Sequence, residues 1–137
     1  MIAYNYETDF ILNHTDLLTA WINHVIDKEG FTCGEINYIF CDDNYLHKLN
    51  VEFLDHDTLT DIISFDYTMG NLISGDIYIS ITRVAENAQL FQTTFENELF
   101  RVMIHGILHY CGYKDKSTSE KTEMRAKEDE HLKALTV

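Results

Sequence analysis

The amino-acid sequence predicts an α+β fold: one mixed sheet of about four strands covered by a layer of helices. Three observations predict it. Runs rich in Ile, Tyr and Phe alternate with stretches whose apolar residues recur at helical spacing. Two of the β-like runs, "TDIISFDY" (60–67) and "SGDIYISI" (74–81), flank Met69–Gly70–Asn71, a turn signal that pairs them as a hairpin. The remaining runs are separated by helical stretches, so crossover connections are needed as well. With 137 residues the chain supports one core, and residues 1–137 are expected to form a single domain.

Each element follows from its residues. "IAYNYETDFIL" (2–12) mixes β-formers with polar residues and reads as a first strand. In "TDLLTAWINHVIDKEG", Leu17, Leu18, Trp21, Ile22, Val25 and Ile26 share one helical face, with Thr15 as N-cap and Gly30 as stop. "GEINYIFC" (34–41) reads as a strand. Asp42 or Asp43 then caps a short helix with Leu46, Leu49 and Phe53 inward. After the hairpin, a helical pattern resumes from Thr82 to Phe91. "TTFENELFRVMIHGILHYCG" predicts a long helix with Thr93 and Glu96 as a capping box and Gly112 as its stop. "STSEKTEMRAKEDEHLKAL" predicts a last helix opened by a Ser117–Glu120 box.

Composition narrows the setting. Nothing reaches about 18 consecutive apolar residues, and "MIAYNYETDF" lacks a signal-peptide pattern, so a membrane partner is not expected. Cys33, Cys41 and Cys111 are an odd count without a CxxC pair, which favours free thiols in a reducing cytoplasm. Net charge is −13, but it is unevenly spread. Residues 1–100 carry −14, whereas residues 101–137 carry +1 and hold Lys114, Lys116, Lys121, Arg125 and Lys127. A solvated helix face accounts for those cations; their placement also leaves room for a phosphate substrate near residues 105–127.

The stretch with most chemistry is "HGILHYCGYKD" (105–115). On a helix His105 and His109 project from one face a turn apart. Gly112 suits the left-handed turn that doubles the chain back, and Asp115 then comes within reach. Two imidazoles and a carboxylate can hold a divalent ion, leaving a fourth position for water, as in catalytic zinc sites. His131 competes as third ligand from farther down the next helix. Read plainly, two helix histidines and a capping aspartate would leave the same trace. Zinc peptidases of the HExxH kind keep a Glu after the first His; here Gly106 stands there, which argues against peptide hydrolysis.

These residues resemble a known family. "HGILHYCGYKD" is similar to the HGxLHLxGYDH motif of the bacterial YbeY family, metal-dependent endoribonucleases of ribosomal RNA maturation. "LNVEFLDHDTLTDIISF" (49–65) resembles that family's LNxxYRxxDxPTDVLSF segment, "SGDIYIS" (74–80) its GDI strand, and "NELFRVMIHGILH" (97–109) its approach to the metal motif. The resemblance implies a single-strand-specific endoribonuclease that hydrolyses RNA phosphodiesters with a metal-activated water. It also implies one divalent metal, zinc above all, and a role with ribosomal RNA and the small ribosomal subunit rather than DNA. The rival readings are a non-catalytic metal-stabilised ribosome-assembly factor and a metalloprotease-like hydrolase.

His105 and His109 fall on the family's first two ligand positions, and Asp115 falls on its third, commonly histidine. The family's arginine after the aromatic corresponds to Leu54. His56 and Arg101 are the candidate substitutes for its cation, and Glu98 is a candidate to orient an imidazole.

Overall fold

The computed structural model of the chain describes residues 1–135. Its elements, in order, are β1 (Ile2–Tyr6), α1 (Thr15–Lys28), β2 (Thr32–Cys41), α2 (Asp43–Leu54), β3 (Ile62–Asp66), β4 (Leu72–Ser80), α3 (Ile81–Leu90), α4 (Phe95–Tyr110) and α5 (Thr118–Lys133). The four strands form one sheet in the order β1-β2-β4-β3. β1–β2 and β2–β4 are parallel, each reached by a helical crossover, and β3–β4 is the antiparallel hairpin. The predicted mixed α+β architecture is the observed one.

One face of the sheet carries the main core. Ile36, Tyr38 and Phe40 of β2 and Ile73, Ile77 and Ile79 of β4 meet α1 through Leu18, Ile22 and Ile26, and α4 through Met103, Ile104 and Ile107. Burying each such side chain contributes about 1.5–3 kcal/mol. The other face is covered where α2 lays Leu46 over Cys41 and Ile63.

α4 is fixed to the sheet at several points. The buried Tyr38 hydroxyl donates to the Met103 carbonyl at 2.9 Å. Tyr110 donates to the Phe65 and Asp76 carbonyls at 3.0 and 3.2 Å, its ring lying against Gly75, where a β-carbon would collide with the Tyr110 hydroxyl and the Phe65 carbonyl. Gly106 faces the sheet, and a β-carbon there would stand 3.1 Å from Ile77 Cδ1 and 3.2 Å from Ile62 Cδ1. The helix therefore sits close over β3, the strand that borders the site.

Three boundaries and one burial differ most from the sequence reading. β1 ends at Tyr6 rather than residue 12, because its partner β2 ends at Cys41 and the register runs out at Tyr6–Phe40. The remaining apolar residues still work: Phe10 packs on Phe40 and Phe95 from a loop. His14, at φ 61, takes the cap position of α1 and Thr15 becomes its first helical residue. Thr94, not Thr93, caps α4, since the Thr93 N–H is already used to close α3 on the Ala88 carbonyl. Phe53 is 62% exposed rather than inward, hanging over Phe65 on the last strand, where no further strand covers it. The Asp42 cap, the Ser117–Glu120 box and the Gly112 stop are as predicted.

Candidate metal centre

The site is assembled at the C-terminal end of α4. One helical turn separates His105 from His109, and their Nε2 atoms lie 3.0 Å apart with the rings at 87°. Gly112, at φ +98, ends the helix. The turn is closed by Gly112 N–H to the His109 carbonyl at 3.0 Å and Tyr113 N–H to the Leu108 carbonyl at 3.1 Å. That reversal returns Asp115, whose Oδ2 is 3.2 Å from His105 Nε2 and 3.3 Å from His109 Nε2.

The hydrogen bonds on the far side of each ring decide what faces inward. His109 Nδ1 is 3.0 Å from the Tyr113 carbonyl, an acceptor only, so Nδ1 carries the proton. His105 Nδ1 is 2.6 Å from Glu128 Oε2, and donates to that carboxylate. In the neutral rings both Nε2 atoms are then bare lone pairs, and they point at each other and at a carboxylate oxygen. Three acceptors converging within 3.3 Å repel unless a cation lies among them.

The triangle has the size for one. Ligand bonds of about 2.0–2.1 Å in tetrahedral geometry put donor atoms about 3.3–3.4 Å apart, close to the observed 3.0, 3.2 and 3.3 Å. The three side chains retain 20%, 30% and 39% exposure, so the cluster opens to solvent on one side. Cys111 does not join it: burial, then the charge of Glu29, pushes its thiol up to about 12 and keeps it protonated.

A cleft of about 580 Å³ lies in front of the triangle, between β3, α4 and α5. Glu128 is buried in its wall and uses both oxygens, Oε2 on His105 and Oε1 on Arg101 Nη1 at 3.1 Å. Arg101 also donates to Asp129 at 2.8 Å. Asp61 and Glu98 line the same cleft, and burial raises both carboxyls; His105 opposes the rise at Asp61, and the charge of Asp61 adds to it at Glu98. For His105, burial disfavours the charged ring, but the Glu128 bond and charge, then Asp115 and Asp61, raise its pKa overall.

The structure thus brings together His105, His109, Asp115, Arg101 and Glu98. Glu98 lines the cleft, but the oxygen that orients His105 belongs to Glu128. His56 stands just beyond α2, its N–H on the Asn50 carbonyl, and neither it nor Leu54 is among the residues lining the cleft. His131 is buried in a separate cluster with Glu29 and Glu130, its Nε2 2.7 Å from Glu29. Sequence reasoning missed Glu128 because one acid among several on a highly charged helix carries no mark of burial. It missed Asp61 although the residue opens a strand that runs under the metal-motif helix.

The profile described as Endoribonuclease YbeY matches residues 3–136. The chain belongs to the YbeY family. Its family relatives include the Endoribonuclease YbeY of Flavobacterium johnsoniae, 62% identical over 132 residues, covering 96% of this chain and 95% of the relative. The Endoribonuclease YbeY of Flavobacterium psychrophilum is 59% identical over 137 residues, covering 100% and 98%. Among solved structures, the solution structure of TM1509 from Thermotoga maritima superposes with a TM-score of 0.70 at 30% identity, covering 98% of this chain and 89% of that one.

Proposed function

We propose that the chain is a metal-dependent endoribonuclease that hydrolyses single-stranded RNA, acting on ribosomal RNA with the small ribosomal subunit in a reducing cytoplasm. The observation that carries it is the convergence of His105 Nε2, His109 Nε2 and Asp115 Oδ2, with both outer ring nitrogens committed to acceptors. That donor set suits one zinc ion with an open position. A bound zinc ion supplies Lewis acidity toward water and a phosphoryl oxygen.

The chain's own residues do the rest. Glu128 and the Tyr113 carbonyl hold the two imidazoles in the tautomer that turns Nε2 inward. Arg101, anchored by Glu128 and Asp129, places a cation one turn before His105 on the same wall, where the phosphate of the substrate lies. Hydrolysis adds a water oxygen to phosphorus and breaks the bond to the departing ribose oxygen, which needs a proton. Burial raises the carboxyls of Asp61 and Glu98 in the same cleft, which makes them candidates to give one.

A peptidase arrangement is disfavoured by the same geometry. Gly106 turns toward Ile62 and Ile77, so this position offers no base and little room for one. Among the described residues no helix is long and apolar enough to cross a membrane.

The test uses purified protein loaded with zinc, incubated with labelled single-stranded RNA and with casein, each with and without chelator. RNA is expected to be cut only without chelator, and casein to stay intact. His105→Ala and His109→Ala are expected to lose metal and cleavage together; full cleavage by a metal-free double variant ends the reading.

A further inference from the structure

Phe91 lines the cleft in front of His105 and His109, yet 55% of it is exposed. Its place is fixed by backbone hydrogen bonds. α3 closes with Gln92 N–H on the Gln89 carbonyl at 3.2 Å and Thr93 N–H on the Ala88 carbonyl at 2.9 Å, with Gln92 left-handed at φ 57. Thr94 caps α4 directly afterwards. The aromatic residue is therefore held between two helix ends, on the wall of the open cleft. Leaving a phenyl ring wet forfeits the stabilisation its burial would bring, and closing the helix does not require it.

The surroundings of Phe91 say what covers it. Glu98, Arg101, His105 and His109 follow one another along α4, and Phe91 precedes that helix, so it stands at the end of the cleft away from His109. Glu98 to His109 alone spans about 16 Å of helix axis. Along the side, α5 presents Lys121 and Arg125 to the same space. The Arg125 side chain is 59% exposed and reaches Glu128 only at 3.9 Å, so its charge is available to a ligand. An aromatic face at one end, cations along the α5 wall and the donor triangle at the other end match a single polyanionic strand carrying flat bases.

Resting on the endoribonuclease reading, we propose that Phe91 is a stacking platform for one nucleobase of the RNA, on a nucleotide flanking the one whose phosphate lies at His105 and His109. Lys121 and Arg125, on the α5 wall of the same cleft, contact phosphates of that strand. Bases inside a duplex have both faces covered by neighbours, so only an unpaired base can lie on the ring. The platform thereby selects single strands without reading sequence, because every base has such a face.

The test scans a short single-stranded oligoribonucleotide with one abasic site moved position by position, against the zinc-loaded wild type and Phe91→Ala, Phe91→Leu and Phe91→Tyr. Cleavage kinetics and fluorescence anisotropy are both read. In the wild type one abasic position is expected to weaken binding about tenfold, in KM rather than kcat. In Phe91→Ala and Phe91→Leu every oligonucleotide that keeps that base binds about that much more weakly while the one abasic there is unchanged, so the position no longer matters, whereas Phe91→Tyr keeps the wild-type profile. Rescue by leucine as full as by tyrosine, or an unchanged abasic profile in Phe91→Ala, overturns the platform. Intact RNA with the wild type overturns the hydrolase reading instead, and anisotropy still decides the stacking.

Discussion

Glu128 Oε2 lies 2.6 Å from His105 Nδ1, joining a buried carboxylate of α5 to an imidazole of α4 across 23 positions of sequence. The same carboxylate holds Arg101 with its other oxygen. One residue therefore sets both the tautomer of a proposed metal ligand and the place of the Arg101 cation in the same cleft. Replacing it by Gln keeps the shape and removes the charge that fixes the Nδ1 proton. Glu128→Gln is expected to weaken zinc binding about 10–100-fold, the usual cost of losing such a partner. Competition against a coloured chelator measures it, and an affinity equal to wild type removes Glu128 from the account.

Asp115 brings a negative charge where a histidine would bring none. A cation held by two imidazoles and a carboxylate has less positive charge to spend on acidifying water than one held by three imidazoles. The pH–rate profile of Asp115→His is therefore expected to show a lower apparent pKa than that of the wild type. An unchanged or higher value refutes the argument.

Much of this arrangement was legible in the sequence because it is local. His105, His109, Gly112 and Asp115 lie within eleven residues, and helix period plus one left-handed turn suffices to bring their donors together. The sheet was legible because each β-run stood between helical stretches or beside a hairpin turn. What escaped depends on tertiary contact. Glu128 looks like any acid on a solvated helix until α5 docks on α4. Phe53 reads as core until the sheet is seen to end at β3. The cap of α4 moved by one residue because Thr93 was claimed by α3, a competition between neighbours that no single helix pattern contains.

The His105 proton and a cation compete for one site, and the sign of their effects differs. The pKa of His105 is raised above 6.5 in the metal-free fold. Its contribution to stability is present below the unfolded value of about 6.5 and is lost as pH rises through the folded value. Metal binding requires the ring without its Nε2 proton, so stabilisation by zinc grows with pH over the same window. The melting temperature of the loaded protein minus that of the stripped protein is expected to widen from pH 6 to pH 8. A constant difference places no ligand proton at the site.

Charge in the cleft makes the cation matter for binding as well. Asp61, Glu98, Asp115 and Glu128 face Arg101, Lys121 and Arg125, so four carboxylates outnumber three cations when all are ionised. A divalent ion reverses that balance. Chelator is therefore expected to weaken RNA binding, not only cleavage, and added zinc to restore it with a steeper dependence on salt. Equal anisotropy titrations with and without chelator contradict this.

The second ring, His109, is steadied from farther away. Its Nδ1 proton rests on the Tyr113 carbonyl, and the Tyr113 hydroxyl donates to Glu29 Oε1 at 2.7 Å. Glu29 Oε2 in turn takes the buried His131 Nε2 at 2.7 Å, with Lys127 at 3.8 Å. Burial works against the Glu29 charge, but the bonds from Tyr113 and His131 and the Lys127 charge outweigh it and lower the pKa below 4.5. A depressed carboxyl contributes stability that is present above the unfolded value and lost as pH falls through the folded one. Glu29→Gln is expected to cost about 1.5–3 kcal/mol at neutral pH, the range for hydrogen bonds to a charged group. The gap between variant and wild type in urea unfolding should close as pH drops below about 4.5, the ordinary value of the carboxyl. A gap that persists undiminished at pH 3 assigns the loss to packing rather than to the charge.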